Sequence, residues 1–291
     1  MKPATFRYHQ PSTLAETLDL LAHLGDAAKV LAGGQSLLPM MAYRLATPTD
    51  LVDIGRIPEL RGWELNGGQL RIRAMARQRE IELDPDIGLR FPVLHVALAN
   101  VAHVQIRNRG TVCGSLAHAD SAAELPALMV ALDSTFVLHS ALGTRQVPAN
   151  EFFKFHFTTA IETGELLTEV IVPDKGAGYF SSFMEVSRRK GDFAVVGAAA
   201  VLKIDQGRVV TARIVCSGVA PTPVEVTSAQ ESIAGRDLGD ATLLDAQYAT
   251  HAGIDPVGDF HADADYKRQL AGVLVRRCLI EIRSQKGVLS A

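Results

Sequence analysis

The spacing of apolar positions along this 291-residue chain changes period repeatedly, so the pattern predicts a mixed fold of helices and strands. Thr13-x-x-Glu16 forms a capping box. Leu14, Leu18, Leu21 and Leu24 follow at helical spacing and Gly25 supplies the stop, which predicts the first helix. Lys29-Val30-Leu31-Ala32 reads as a buried strand. It runs into Gly33-Gly34-Gln35-Ser36 and then Leu37-Leu38-Pro39, where an early proline suits a first helical turn. Leu51 to Ile54 is a second short strand. Trp63 to Leu65 and Gln69 to Arg73 flank Asn66-Gly67-Gly68, a strong hairpin signal.

Pro92 to Ala102 returns to the helical period, with Leu94, Leu98 and Val101 on one face, whereas Gln105 to Ser115 follows neither period and reads as a glycine-punctuated loop. Glu124 to Leu132 is helical. Thr135 to Leu138, Thr144 to Val147 and Leu166 to Val172 read as antiparallel strands closed by Pro173. A boundary falls near residue 175, at Asp174-Lys175-Gly176-Ala177-Gly178. Beyond it Tyr179 to Ser187, Ala194 to Ile204 and Val209 to Ser217 form a three-stranded meander. The remainder is helical, ending in Asp265 to Ser284 with Lys267, Arg276 and Arg283 on the charged face.

Composition narrows the function classes. A hydrophobic fraction of 47% against 21% charged excludes a disordered chain, and a net charge of −3 without charge blocks gives no footprint for nucleic acid or an anionic membrane. The longest apolar run, Phe193 to Leu202, is far short of the roughly 20 residues of a bilayer span. No apolar h-region follows Lys2, so the expected location is cytoplasmic. Cys113, Cys216 and Cys278 are odd in number and far apart, which argues against a disulfide framework or a Cys-x-x-Cys metal site. The nine histidines form no ligand set, and no metal is assigned.

Two glycine loops carry the chemical signal. Glycines between a strand and a helix let backbone amides approach an anion such as a phosphate closely, although Gly33-Gly34 alone reads more readily as a tight strand-to-helix turn. Gly110-Thr111-Val112-Cys113-Gly114-Ser115 adds two hydroxyls to the same flexibility. The phosphate-loop lysine and the third glycine of the dinucleotide fingerprint are both missing. Two such loops in one mixed domain would suit the two phosphates of a pyrophosphate.

The run Leu31-Ala32-Gly33-Gly34-Gln35-Ser36-Leu37-Leu38-Pro39 resembles the first flavin loop of the molybdenum hydroxylase medium subunit, the family of carbon monoxide, quinoline and xanthine dehydrogenases. Ile106-Arg107-Asn108-x-Gly110-Thr111-Val112-x-Gly114-Ser115 resembles its second loop, and His118-Ala119-Asp120 through Glu124-Leu125-Pro126 its following helix. Ser187-Arg188-Arg189-x-Gly191-Asp192-Phe193-Ala194 resembles its C-terminal signature. The resemblance implies an α+β fold. A two-lobed FAD-binding domain of the vanillyl-alcohol-oxidase-like (PCMH) type would span 1–175, with lobes of about 1–57 and 58–175. A C-terminal domain of three-stranded antiparallel sheet plus helices would span 176–291.

By the same resemblance Lys29, Val30, Leu31, Ala32, Gly33, Gly34, Gln35, Ser36 and Leu37 would wrap the FAD pyrophosphate together with Gly110, Thr111, Val112, Cys113, Gly114 and Ser115. Glu124 would reach the ribose or ribityl hydroxyls, Leu167 would lie against the isoalloxazine, and Val101 falls at a further contact position. Cys113 stands where the family has a glycine, which bears on the loop's shape. No catalytic acid or base is implied. The implied role is electron relay between two 2Fe–2S clusters of a small partner subunit and an external acceptor, with molybdopterin in a large partner and a dimer of heterotrimers as the assembly. Two other classes stay open, a flavin-free scaffold module and a self-contained flavin oxidase. Arg188-Arg189-Lys190 reads as a solvated turn or a subunit contact. Strand alternation sends Met184 and Glu185 to opposite faces, with Glu185 directed at solvent or Arg188 on one reading and at the flavin on another.

Overall fold

A computed structural model describes residues 2–289, with side chains through 285. By contact the chain forms two compact units, and each is assembled from separated stretches of sequence.

The first unit comprises Met1–Leu83, His103–Ala119 and Ser134–Pro173. It begins with a parallel sheet in which β3 (Asp50–Asp53) lies between β1 (Arg7–His9) and β2 (Ala28–Leu31). The connections are helices α1 (Leu14–Leu24) and α2 (Leu37–Ala42). The capping box of α1 closes as expected on one side, since Thr13 Oγ1 accepts from Glu16 N at 3.2 Å. The reciprocal bond lands one residue earlier, with Ser12 N donating to the Glu16 carboxylate at 2.8 Å. Fully buried Asp50 pins the sheet edge by accepting both Arg7 guanidinium bonds at 2.7 Å and approaching His9 Nε2 at 2.7 Å.

A second, antiparallel sheet in the order β4-β5-β10-β6-β7 comprises β4 (Trp63–Asn66), β5 (Gln69–Arg73), β6 (Thr135–Ser140), β7 (Gly143–Pro148) and β10 (Leu166–Pro173). Central β10 is buried along both faces, which is why its sequence is nearly continuous apolar rather than alternating. Between β7 and β10 lie α9 (Ala149–Phe152) and a small hairpin of β8 (Phe153–Phe155) and β9 (Thr158–Thr159). Phe152 stacks on Phe136 at 4.0 Å between ring centroids.

Three short helices complete this unit: α3 (Gln78–Leu83), α6 (Val104–Arg107) and α7 (Val112–His118). The last two correct the reading of Gln105 to Ser115 as loop throughout. Thr111 caps α7 by accepting from Gly114 N at 3.0 Å, and Val112, Cys113 and Leu116 bury its inner side, a face too short and too glycine-interrupted to register as a period. A buried ion pair holds α6 to α3. Arg107 Nε donates to Glu82 at 2.7 Å, and Arg79 reaches the same carboxylate at 2.7 Å.

The second unit comprises Asp84–Ala102, Asp120–Asp133 and Asp174–Ala291. Its sheet runs β11 (Tyr179–Ser187), β12 (Ala194–Asp205), β13 (Arg208–Ser217) and β14 (Val224–Glu225), antiparallel throughout. The two-residue β14 adds a fourth strand too short to show in the pattern. One face, carrying Val196, Ala198, Ala200, Leu202 and Cys216, packs under α10 (Thr227–Ile233), α11 (Asp240–Gly253) and α12 (Ala264–Leu289). The opposite face lies under α5 (Pro92–Asn100) and α8 (Glu124–Ala131), with α4 (Pro85–Arg90) beside α5.

Lys267 departs from the charged face expected for the last helix. It is 5% exposed, and its Nζ donates to Asp259 at 2.7 Å and to Gly218 O at 2.9 Å, so a long-range acceptor set converts a surface position into an internal tether. Cys113, Cys216 and Cys278 are all buried free thiols, and burial pushes the latter two up to about 12. No helix among the described residues is long and apolar enough to cross a membrane.

Burial pushes the Glu82 carboxyl up, and the Arg107 and Arg79 guanidiniums overcome it, leaving the group below its ordinary value. Replacing Arg107 by Met should destabilise the full chain by about 3–5 kcal/mol in denaturant unfolding, because a buried carboxylate loses its main counter-charge. A depressed folded pKa stabilises above the ordinary value of about 4.3 and stops doing so as pH falls through the folded value. The gap between wild type and variant should therefore shrink on acidification below about pH 4.

Candidate functional site

The two glycine loops of the first unit meet backbone to backbone. After β2 ends at Leu31, the chain turns so tightly past the second loop that a Cβ on Gly33 would lie 2.4 Å from Arg109 O and 2.7 Å from Gly110 Cα. No side chain fits there. Gly34 is required for a different reason, a φ of +74°, and from it Leu38 N donates to Gly34 O at 3.1 Å to open α2. Ala32 touches the far end of the second loop, where a Cβ on Gly114 would stand 3.7 Å from the Ala32 Cβ.

The second loop is clamped from behind by a segment that the sequence pattern left unassigned. Gln78 N donates to Gly110 O at 2.9 Å and Val112 N to Ala76 O at 3.2 Å, closing an isolated bridge between Arg77 and Thr111. The Arg77 guanidinium donates to Arg109 O, and buried Gln78 places its Oε1 where a Cβ on Gly110 would come within 2.8 Å. Cys113 takes helical backbone angles and packs inward, its Sγ 3.5 Å from Ile72 O. The cysteine therefore asks no unusual backbone angle of the loop, and burial raises the thiol beyond any reactive range.

Held this way, the loops present donors. Among the described residues the amides of Gly33, Gly34, Gln35, Ser36, Thr111 and Cys113 donate to no protein acceptor, and Ser36 does not cap α2. Beside them a cavity of about 200 Å³ is lined by Leu31, Ala32, Gly33 and Leu38 on one side and by Arg56, Arg77 and Arg109 on the other. Its one carboxylate, Asp53, is engaged by Tyr8 Oη at 2.5 Å and Gly55 N at 2.8 Å. Arg77 is held below its ordinary pKa, first by burial and then by neighbouring Arg109, and three guanidiniums line the cavity against one carboxylate. Unengaged amides and guanidiniums are donor-only groups, the set that fits the oxygens of a pyrophosphate.

The remaining sequence-predicted residues are placed as follows. Lys29 and Val30 lie on β2, Leu37 opens α2, and Val112 and Ser115 lie on α7. Leu167 is buried on β10 where its pairing with β6 slips by one residue at Thr168. Val101, the residue closing α5, and Glu124, the first residue of α8 and 3% exposed, belong to the second unit. In that unit Met184 packs toward the helix-side core, whereas Glu185 is on the opposite face with its Oε2 buried and unpartnered. Burial raises its carboxyl to about 7. Among the described residues no group of three or more His, Cys, Asp or Glu could hold a metal ion.

Residues 4–175 match the family model for the FAD binding domain in molybdopterin dehydrogenase, and residues 181–282 match that for the CO dehydrogenase flavoprotein C-terminal domain. The chain belongs to the FAD-binding subunits of the molybdenum hydroxylases. It is 40% identical to the 6-hydroxypseudooxynicotine dehydrogenase complex subunit alpha of Paenarthrobacter nicotinovorans, over 96% of this chain and 95% of that protein. It is 38% identical to the carbon monoxide dehydrogenase medium chain of Hydrogenophaga pseudoflava, over 96% and 97%. The solved carbon monoxide dehydrogenase of Hydrogenophaga pseudoflava superposes with a TM-score of 0.94 at 39% identity, covering 98% of this chain and 99% of that one. The quinoline 2-oxidoreductase of Pseudomonas putida 86 does so at 0.92 and 37%, with 98% and 99% covered. The α+β fold, the FAD domain and the oxidoreductase class read from the sequence accordingly hold for this chain.

For this flavin-binding subunit, Gly33→Ala forces a backbone-to-backbone contact apart. We expect a loss of about 1–3 kcal/mol of stability and a fall of about tenfold or more in FAD affinity. Gly88→Ala in α4, where an added Cβ meets nothing within 4 Å, should leave FAD affinity unchanged and leave stability level or raise it by up to about 1 kcal/mol. Fluorescence titration with FAD and thermal melts of both variants check this.

Proposed function

We propose that this chain is the electron-relay subunit of a multi-subunit molybdenum hydroxylase. Electrons arrive from 2Fe–2S clusters in a small partner subunit and leave to an external acceptor, while the organic substrate is oxidised at molybdopterin in a large partner. The observation that carries the reading is the pair of loops joined at Gly33 and Arg109–Gly110, whose unengaged amides converge beside arginines. Bound FAD supplies the redox chemistry there, and the chain supplies position and electrostatics.

The residues divide this task. The 29–37 and 110–115 segments grip the pyrophosphate, Glu124 reaches the ribose or ribityl hydroxyls, Leu167 lies against the isoalloxazine, and Val101 is a further contact position. The FAD domain runs to about residue 175 and the C-terminal domain from 176. Two relatives of nearly equal similarity, at 40% and 38% identity, bear names with unrelated substrates, which fits a subunit that does not choose the substrate. The whole assembles as a dimer of heterotrimers in the cytoplasm.

The purified full chain should bind one FAD and pass electrons from dithionite to an artificial acceptor, yet turn over no organic substrate without iron and molybdenum. Absence of flavin absorbance after reconstitution would make it a scaffold module. Substrate turnover by the metal-free chain would make it a self-contained flavin oxidase.

A further inference from the structure

Strand β10 of the first unit is irregular at Thr168, and the irregularity decides which way Leu167 faces. Its pairing with β6 runs Leu166↔His139 and Leu167↔Leu138, then resumes at Glu169↔Val137 and Val170↔Phe136. Thr168 is the extra residue of a β-bulge. Cross-strand partners share a face, so Leu167 lies on the face of Leu138, Phe136 and Val170, although Leu167 and Val170 are three residues apart. A regular ladder continued from Glu169↔Val137 would set Leu167 opposite His139 on the other face and bring Leu166 into its place. The bulge chooses between the two leucines.

Polar groups pin the bulge. Thr168 is 5% exposed, and its hydroxyl donates to Val137 O at 3.2 Å and lies 2.8 Å from His139 Nδ1. A hydroxyl carries one proton, so with that proton on Val137 O it accepts from the His139 Nδ1–H. The Thr168 carbonyl accepts from Ala74 N at 2.7 Å. A hydroxyl in a sheet interior is costly unless it is bonded. Here it is bonded to both residues of β6 that flank Leu138, which holds the extra residue in place against a slip of the ladder.

The same residue reaches the second glycine loop through backbone. Ala74, held by Thr168 O, stands two residues before Ala76, whose carbonyl accepts from Val112 N at 3.2 Å, and four before Gln78, whose amide donates to Gly110 O at 2.9 Å. Ala74, Met75 and Ala76 are buried. One short stretch of chain, hydrogen-bonded at both ends, thus joins the bulge to the loop within the first unit. A shift of the bulge moves Leu167 and the clamp together.

We infer that Thr168, braced by His139, is a positioning residue for the bound flavin, fixing the apolar surface at Leu167 relative to the loop at 110–115. Both residues act through others. Thr168 acts through Leu167 and Ala74, and His139 acts through Thr168. The inference rests on the FAD reading above, in which Leu167 lies against the isoalloxazine and the second loop grips the pyrophosphate. A ligand held at two separated points is bound tightly only where supporting residues keep the spacing of those points to within about 0.5 Å.

The test is a titration of the full chain with FAD, with the absorption spectrum of the bound flavin recorded at saturation. Thr168→Val keeps the branched shape and removes the hydroxyl, whereas His139→Phe removes one partner and leaves the bond to Val137 O. Each should weaken FAD binding about tenfold and shift the bound-flavin bands. Thr168→Ser retains the hydroxyl and should keep affinity within about threefold with the wild-type spectrum. Leu21→Ala, which empties buried core in α1 of the same unit, should lower the melting temperature and leave the spectrum unchanged. Unchanged affinity and spectrum in Thr168→Val and His139→Phe, whatever their melting temperatures, would overturn the inference. So would a Leu21→Ala spectrum shifted in the same way, the mark of a general loosening. If Thr168→Val does not fold, His139→Phe and Thr168→Ser decide alone. Wild type that binds no FAD at all would instead overturn the functional reading on which the inference stands.

Discussion

The geometry of the first unit depends on one close approach, that of the Gly33 backbone to Arg109 O and Gly110 Cα. Everything that gives this region its chemistry follows from it. Amides on two different connections can converge on one group only if the connections touch, and they touch only where neither carries a side chain. The approach is enforced from outside by the Arg77–Thr111 bridge, the guanidinium of Arg77 on Arg109 O, and the Glu82–Arg107 pair that fixes α6 just before the loop. A phosphate-gripping surface is thus made from backbone, which explains how Cys113 can stand in it with its side chain turned into the core.

The molecule handles buried polar groups in two ways. Glu82 and Lys267 are enclosed with full sets of partners and act as tethers, one joining α3 to α6 and the other joining α12 to the loops at Asp259 and Gly218. Gln78 Oε1, Glu185 Oε2, Ser217 Oγ and Arg276 Nε are buried with no hydrogen-bond partner among the described residues.

Much of this was legible in the sequence because local signals and tertiary outcome agree. The Asn66-Gly67-Gly68 hairpin, the capping box at Thr13 and the meander after Tyr179 formed where the pattern placed them. Gln105 to Ser115 misled because α7 is short, capped by a threonine inside the glycine loop and buried through only three side chains. Lys267 misled because its acceptors, Asp259 and Gly218 O, come from outside its helix. The clamp by Arg77 and Gln78 had no local signal at all, since it exists only through a long-range bridge.

The central claim is that two loops act as one cradle, and amide hydrogen exchange tests it most directly. With FAD added to the full chain, exchange at Gly34, Gln35 and Ser36 should slow together with exchange at Thr111 and Cys113. Protection confined to one of the two loops, or absent from both while FAD remains bound, would contradict the account.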